Sequence, residues 1–127
     1  MKSFVTGCVG ALLAIALALF TFAQYSDYRG RAETEGMLAE LEPFKQSIEA
    51  AATKNKSFVG IDKVVGKPTT LPAYVDLLEV TDAGEIFIRG GRDGQLVILL
   101  PTFVAEKVVW RCIGSPAKDM PGACKKV

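Results

Sequence analysis

The sequence predicts an α+β fold, with a long N-terminal helix laid across a four-stranded antiparallel sheet. Three observations predict it. An uncharged apolar run from Phe4 to Ala23 passes directly into apolar residues recurring at helical spacing. From Ala73 onward the period changes to that of strands, punctuated by tight-turn signals. Two of the three cysteines, Cys112 and Cys124, enclose a short Gly- and Pro-containing loop near the C-terminus. A chain of 127 residues is enough for one modest core. Residues 1–23 then form a transmembrane or fibre-core half of the helix, and 24–127 the globular domain.

The run FVTGCVGALLAIALALFTFA, as a helix, spans about 30 Å, the thickness of a bilayer's hydrocarbon core. One reading is a cleaved secretory signal, with Met1-Lys2 as its basic region and Thr21-Phe22-Ala23 as a small-residue cleavage site. The other is a retained anchor. The run exceeds the usual apolar length of about 7 to 15 residues in a signal peptide, and the helical pattern continues past Ala23, so retention is the better reading. In both, the leading positive charge puts the N-terminus in the cytoplasm and exports the rest. Exported cysteines meet an oxidising compartment, so Cys112 and Cys124 are expected to bridge. The rival reading, a metal site, fails because two thiols without histidine cannot complete a tetrahedral zinc shell. Cys8, inside the apolar run, reads as a small hydrophobe.

Beyond Ala23, Tyr25, Tyr28 and Ala32 continue the stripe, followed by Met37, Leu38, Leu41, Phe44, Ile48, Ala51 and Ala52 at spacings of three and four. Gly30, Gly36 and Pro43 weaken this helix, and Pro43 is a candidate kink. It is expected to end near residues 55–57. Residues 58–72 form a connection. The sheet occupies 73–112: AYVDLLEV, the turn TDAG, EIFIRG, the turn GRDG, QLVILL ended by Pro101, and KVVWRC after the loop TFVAE. A disulfide loop, 112–124, closes the chain. The amphipathic half of the helix must cover the sheet, which puts Phe44 and Ile48 against it and Glu49 on the outer face. Trp110 then packs on the helix, and Tyr25 with Tyr28 marks a bilayer boundary or a helix contact.

A net charge of +1 and the lack of histidine exclude several classes. The usual general base is missing, and no nucleophile elbow, phosphate loop or metal cluster is present, so the chain does not read as an enzyme. RGGRDG follows a strand and opens a turn, and so reads as a hairpin. No cofactor or small-molecule substrate is implied. Arg89, Arg92, Lys107, Lys118, Lys125 and Lys126 read as a solvated rim balanced by acids, which argues against a nucleic-acid partner.

Two stretches resemble the type IV pilins of bacteria. YSDYRGRAETEGMLAELEPFKQSIE is similar to the pilin helix beyond its membrane-like half. GQLVILLPTFVAEKVVWRCIGSPAKDMPGACKK is similar to the pilin C-terminus, with Val-x-Trp-x-Cys, a loop carrying Pro-Ala-Lys, and Pro-x-x-Cys before a basic tail. The likeness runs from Tyr25 to Lys126, matching only in position over 59–72. It implies a structural subunit, major or minor, of a pilus used in adhesion, motility or DNA uptake. Its partners would be other pilin subunits or assembly proteins and the inner membrane. Its location would be the inner membrane with a periplasmic domain, the extracellular fibre, or both. The chain departs from the family at its start: aligning on Tyr25 and Tyr28 places Thr6 where pilins carry a Glu, and Met1 where their leader ends in Gly. That Glu is held to pair with a neighbour's N-terminal amine. With Thr6 in its place, the expected alternatives are a membrane-anchored accessory that modulates assembly without polymerising, or a secreted binding module after signal cleavage.

Overall fold

The computed structural model describes residues 2–68 and 70–126, except for the side chains of 2–6, 20–24, 26 and 126. Helices α1 (Lys2–Glu40), α2 (Glu42–Asn55) and α3 (Ile61–Val65) precede strands β1 (Val75–Val80), β2 (Ile86–Gly90), β3 (Gln95–Val104) and β4 (Lys107–Ser115). A 3-10 turn, Ala117–Asp119, and a short β5 (Cys124–Lys126) complete the chain.

The single helix expected to reach about residue 57 is two. It breaks at Leu41, where the Leu41 N–H turns to the Leu38 carbonyl at 3.2 Å, a tighter bond than the α ladder. Pro43 is the cause. It has no N–H to give to the Ala39 carbonyl, and its ring crowds that carbonyl. As one of the first residues of α2 the same proline is well tolerated, since N–H groups there have no helical acceptor. The chain leaves α2 through Lys56 in the left-handed region (φ 55°), with its N–H on the Ala52 carbonyl.

Met37, Leu41, Ile48 and Ala52 are fully buried or nearly so on the expected stripe, and Phe44 is half-buried beside them. They meet Val75, Leu78, Ile86, Ile88, Val97 and Leu99 from the inner face of the sheet. The connection 58–72 is not irregular throughout, because it contains α3. Gly60 (φ 75°) starts that turn and Ile61 seals the core at 0% exposure. One turn of helix is too short to show a period.

The four-stranded antiparallel sheet is likewise corrected. Five strands lie in the order β1-β2-β3-β4-β5, and the last pair is parallel. The C-terminal loop turns the chain back so that Cys124 lies beside Cys112 in register, and three residues of strand follow. Nor does Pro101 end β3, which continues to Val104 opposite β4. Pairing with β2 stops at Leu99, so from there β3 has a neighbour on one side only. Proline is tolerated at such an edge.

The membrane-spanning reading of Phe4–Ala23 falls partly outside the described residues. Among the described residues no helix is long and apolar enough to cross a membrane. Both ends of the run lie outside the described side chains. The described part, 7–19, covers about 20 Å as a helix, against about 30 Å of hydrocarbon.

Candidate functional site

The disulfide loop is held against α1 by a polar clasp that begins at one glycine. At Gly30 a Cβ would collide with the carboxylate of Asp119, so only glycine lets the 3-10 turn press onto the helix. The Gly30 carbonyl accepts bonds from Thr34 Oγ1 at 3.1 Å and Gln95 Nε2 at 3.4 Å, both from fully buried side chains. Glu33, next along α1, receives Arg92 twice: its backbone N–H at 3.1 Å and its guanidinium Nε at 2.8 Å. Gln95 Oε1 accepts the Asp93 N–H at 3.0 Å. The β2–β3 turn and the C-terminal loop thus converge on one stretch of helix.

Lys118 joins the two, reaching Asp93 Oδ2 at 2.8 Å and Asp119 Oδ1 at 3.4 Å. Asp119 is completely buried, and its Oδ2 has no partner among the described residues. Burial raises its pKa above the ordinary carboxylate range, with hydrogen bonding to Asp93 as the next cause. Asp93 is lowered by its bond to Lys118 and then by its bond to Asp119. Both directions favour a protonated Asp119 beside an ionised Asp93. Met120 follows, 1% exposed, packed against Gly114 of β4, which leaves its sulfur room.

Cys112 and Cys124 form the disulfide, and Cys8 is free and exposed. Trp110 is half-buried against the core, with Lys45 5.5 Å above its ring. Its indole N–H donates to Glu49 Oε1 at 2.6 Å. Glu49 is therefore not on an idle outer face, as the helical wheel suggested, but ties α2 to β4. Ile48 and Ala52 keep the expected stripe buried, and Glu49, next to Ile48, is close enough to its border for its carboxylate to reach β4. Between this pair and the disulfide lies a cleft of about 280 Å³, floored by Leu99 and Trp110.

Tyr25 and Tyr28 are exposed, with the Arg29 guanidinium 6.0 Å from the Tyr25 ring. The Thr6 side chain lies outside the described residues. Of the basic residues read as a rim, Arg92 and Lys118 belong to the clasp, and Arg89 stands on the outer face of the sheet. Sequence reasoning missed Gly30, Glu33, Gln95 and Asp119. The available signal was Asp119, an acid amid the apolar and small residues of a closed loop.

Among the described residues no group of three or more His, Cys, Asp or Glu side chains could hold a metal ion. The arrangement packs the C-terminal loop and pins it to α1. No family model, curated protein or solved structure matches the chain.

Proposed function

We propose that the chain is a type IV pilin-like structural subunit, a major or minor component of a fibre, which packs through α1 and displays its sheet and disulfide loop. One observation carries this reading. The two ends of α1 live in different surroundings: Val9, Leu12, Leu13, Ile15 and Leu19 are more than half exposed, whereas Thr34 and Met37 are buried in the domain. An apolar helical surface left open on a helix that runs on into the folded domain suits assembly through helix–helix contact. The resemblance of 25–49 and 94–126 to pilins adds the fibre context.

Thr6 supports a second reading, a membrane-held pilin-like accessory that meets pilins without entering the fibre. A carboxylate in an apolar bundle sets register by pairing with an amine, and threonine has no charge to pair. Fractionation tests both. Under the fibre reading, the protein appears in filaments sheared from the cells. Recovery in the inner membrane with none in sheared filaments supports the accessory. A mature chain beginning at Gln24, free in the medium, overturns both in favour of a secreted module.

A further inference from the structure

The sheet has a second face, turned away from the core that the helices cover among the described residues. Strand register places Phe87, Ile98 and Ile113 in one row across β2, β3 and β4. None of the three belongs to the core or packs against it, so they point away from the helices. Glu79 ends this row on β1 and Lys125 ends it on β5. Leu96 (38% exposed) and Leu100, two residues to either side of Ile98 on β3, extend the apolar surface into a band.

Two arginines flank the band at opposite corners. Arg89 lies opposite Leu96, and Arg111 opposite Leu100. Both are exposed, and among the described residues neither forms an ion pair. Ordinary strand rise and spacing put their Cα atoms about 16 Å apart, with Ile98 midway. A helix with its side chains is about 10–12 Å across, so one fits between the two guanidiniums. Sheet faces are covered by helices or by other sheets. A guanidinium at each side of the seam calls for carboxylates along both borders of the covering stripe.

We propose that this face docks an amphipathic helix of a partner protein, its apolar stripe seated on Phe87, Ile98 and Ile113 and bordered on both sides by carboxylates that meet Arg89 and Arg111. The assignment does not depend on the fibre reading. A second copy applied face to face is disfavoured, because it would oppose Arg89, Arg111 and Lys125 to themselves with Glu79 as the acid in the row. A lipid surface is disfavoured too, since polybasic lipid sites use roughly four to eight basic residues.

The test uses the full chain in one mild non-ionic detergent with two labelled synthetic helical peptides. Both have the same Leu/Ala stripe, bordered on each side by Glu in one and by Lys in the other. Fluorescence anisotropy is expected to show the Glu peptide binding at least about tenfold tighter. The double variant Arg89→Glu/Arg111→Glu is expected to invert that preference with an unchanged melting temperature, since both positions are exposed. Ile98→Ser is expected to weaken both peptides. An unchanged preference in the double variant overturns the proposal. So does binding to phosphatidylglycerol vesicles, lost in the double variant, with no peptide preference, which would assign the face to lipid. Self-association in sedimentation that Ile98→Ser abolishes would assign it to a second copy and overturn the proposal equally.

Discussion

The two halves of α1 differ in a direction opposite to their hydropathy. Residues 7–19 carry no charge and are exposed throughout. Residues 30–40 include Arg31, Glu33, Glu35 and Glu40, yet bury Thr34 and Met37 completely in the domain. Burial in this protein follows the position of a stripe relative to the sheet and not the apolar content of the segment. The more apolar half is surface that the domain does not use, and so is available to something else.

Core truncation should sharpen that contrast most. Ile48→Ala is expected to cost about 2–5 kcal/mol, because Ile48 is fully enclosed between α2 and the sheet. Leu13→Ala, in the exposed half of α1, should leave the domain's unfolding free energy in urea within about 0.5 kcal/mol of wild type. If Leu13→Ala unfolds the domain as readily as Ile48→Ala, the exposed half is part of the core after all, and the comparison collapses.

The disulfide comes next. With twelve residues of separation between its cysteines, the bridge should stabilise the domain by about 3 kcal/mol on the loop-entropy model. The variant Cys112→Ser/Cys124→Ser should therefore lose about that much by urea unfolding. Thiol titration of denatured, unreduced protein should find one reactive thiol, from Cys8. Three thiols would mean that the bridge does not form in the cell.

Glu49→Ala is expected to cost about 1–3 kcal/mol, since it leaves the Trp110 indole N–H without its acceptor in a half-buried site. Glu49→Gln keeps a carbonyl oxygen in place and should recover most of the loss. A shift in tryptophan emission that accompanies Glu49→Ala and not Glu49→Gln would tie the effect to this bond. If the Glu49 side chain pointed into solvent, both variants would be silent.

Much of this architecture was legible in the sequence, for reasons that also explain the rest. The stripe through Met37, Leu41 and Ile48 is periodic, and periodicity reports which face is buried. Asp93-Gly94 marks its turn because left-handed backbone there favours glycine, and Gly94 has φ 66°. What stayed hidden depends on long-range placement. The α3 turn has no period to read, and Pro101 looks like a strand end unless β2 is known to stop before it. Gln95 and Asp119 read as surface residues by type, but both are fully buried because α1 supplies a carbonyl and a glycine opposite them. The clasp is assembled from three segments distant in sequence, and no local signal announces a meeting of that kind.

The smallest effect concerns that clasp, through its pH dependence. Asp119 has a raised pKa, so its contribution to docking the loop is complete below the ordinary carboxylate range and declines as pH rises through the raised value. Asp93 has a lowered pKa, so its contribution is present above the ordinary range and is lost as pH falls through the depressed value. Lys118 and Arg92 face the pair as cations throughout, with Glu33 across on α1 bonded to Arg92. The loop should therefore dock most firmly while the pair holds one proton, and loosen on either side. Asp119→Asn removes the titration at the buried position and supplies a permanent donor toward Asp93, so it should flatten the decline toward neutral pH and leave the acid limb in place. Hydrogen exchange at the Met120 and Cys124 amides, which are bonded within the loop, reads docking directly once corrected for intrinsic pH effects. Wild type is expected to lose protection as pH rises above the ordinary carboxylate range, and Asp119→Asn to hold it. Identical profiles for the two proteins would show that Asp119 stays ionised in its buried site, with Lys118 alone carrying the clasp.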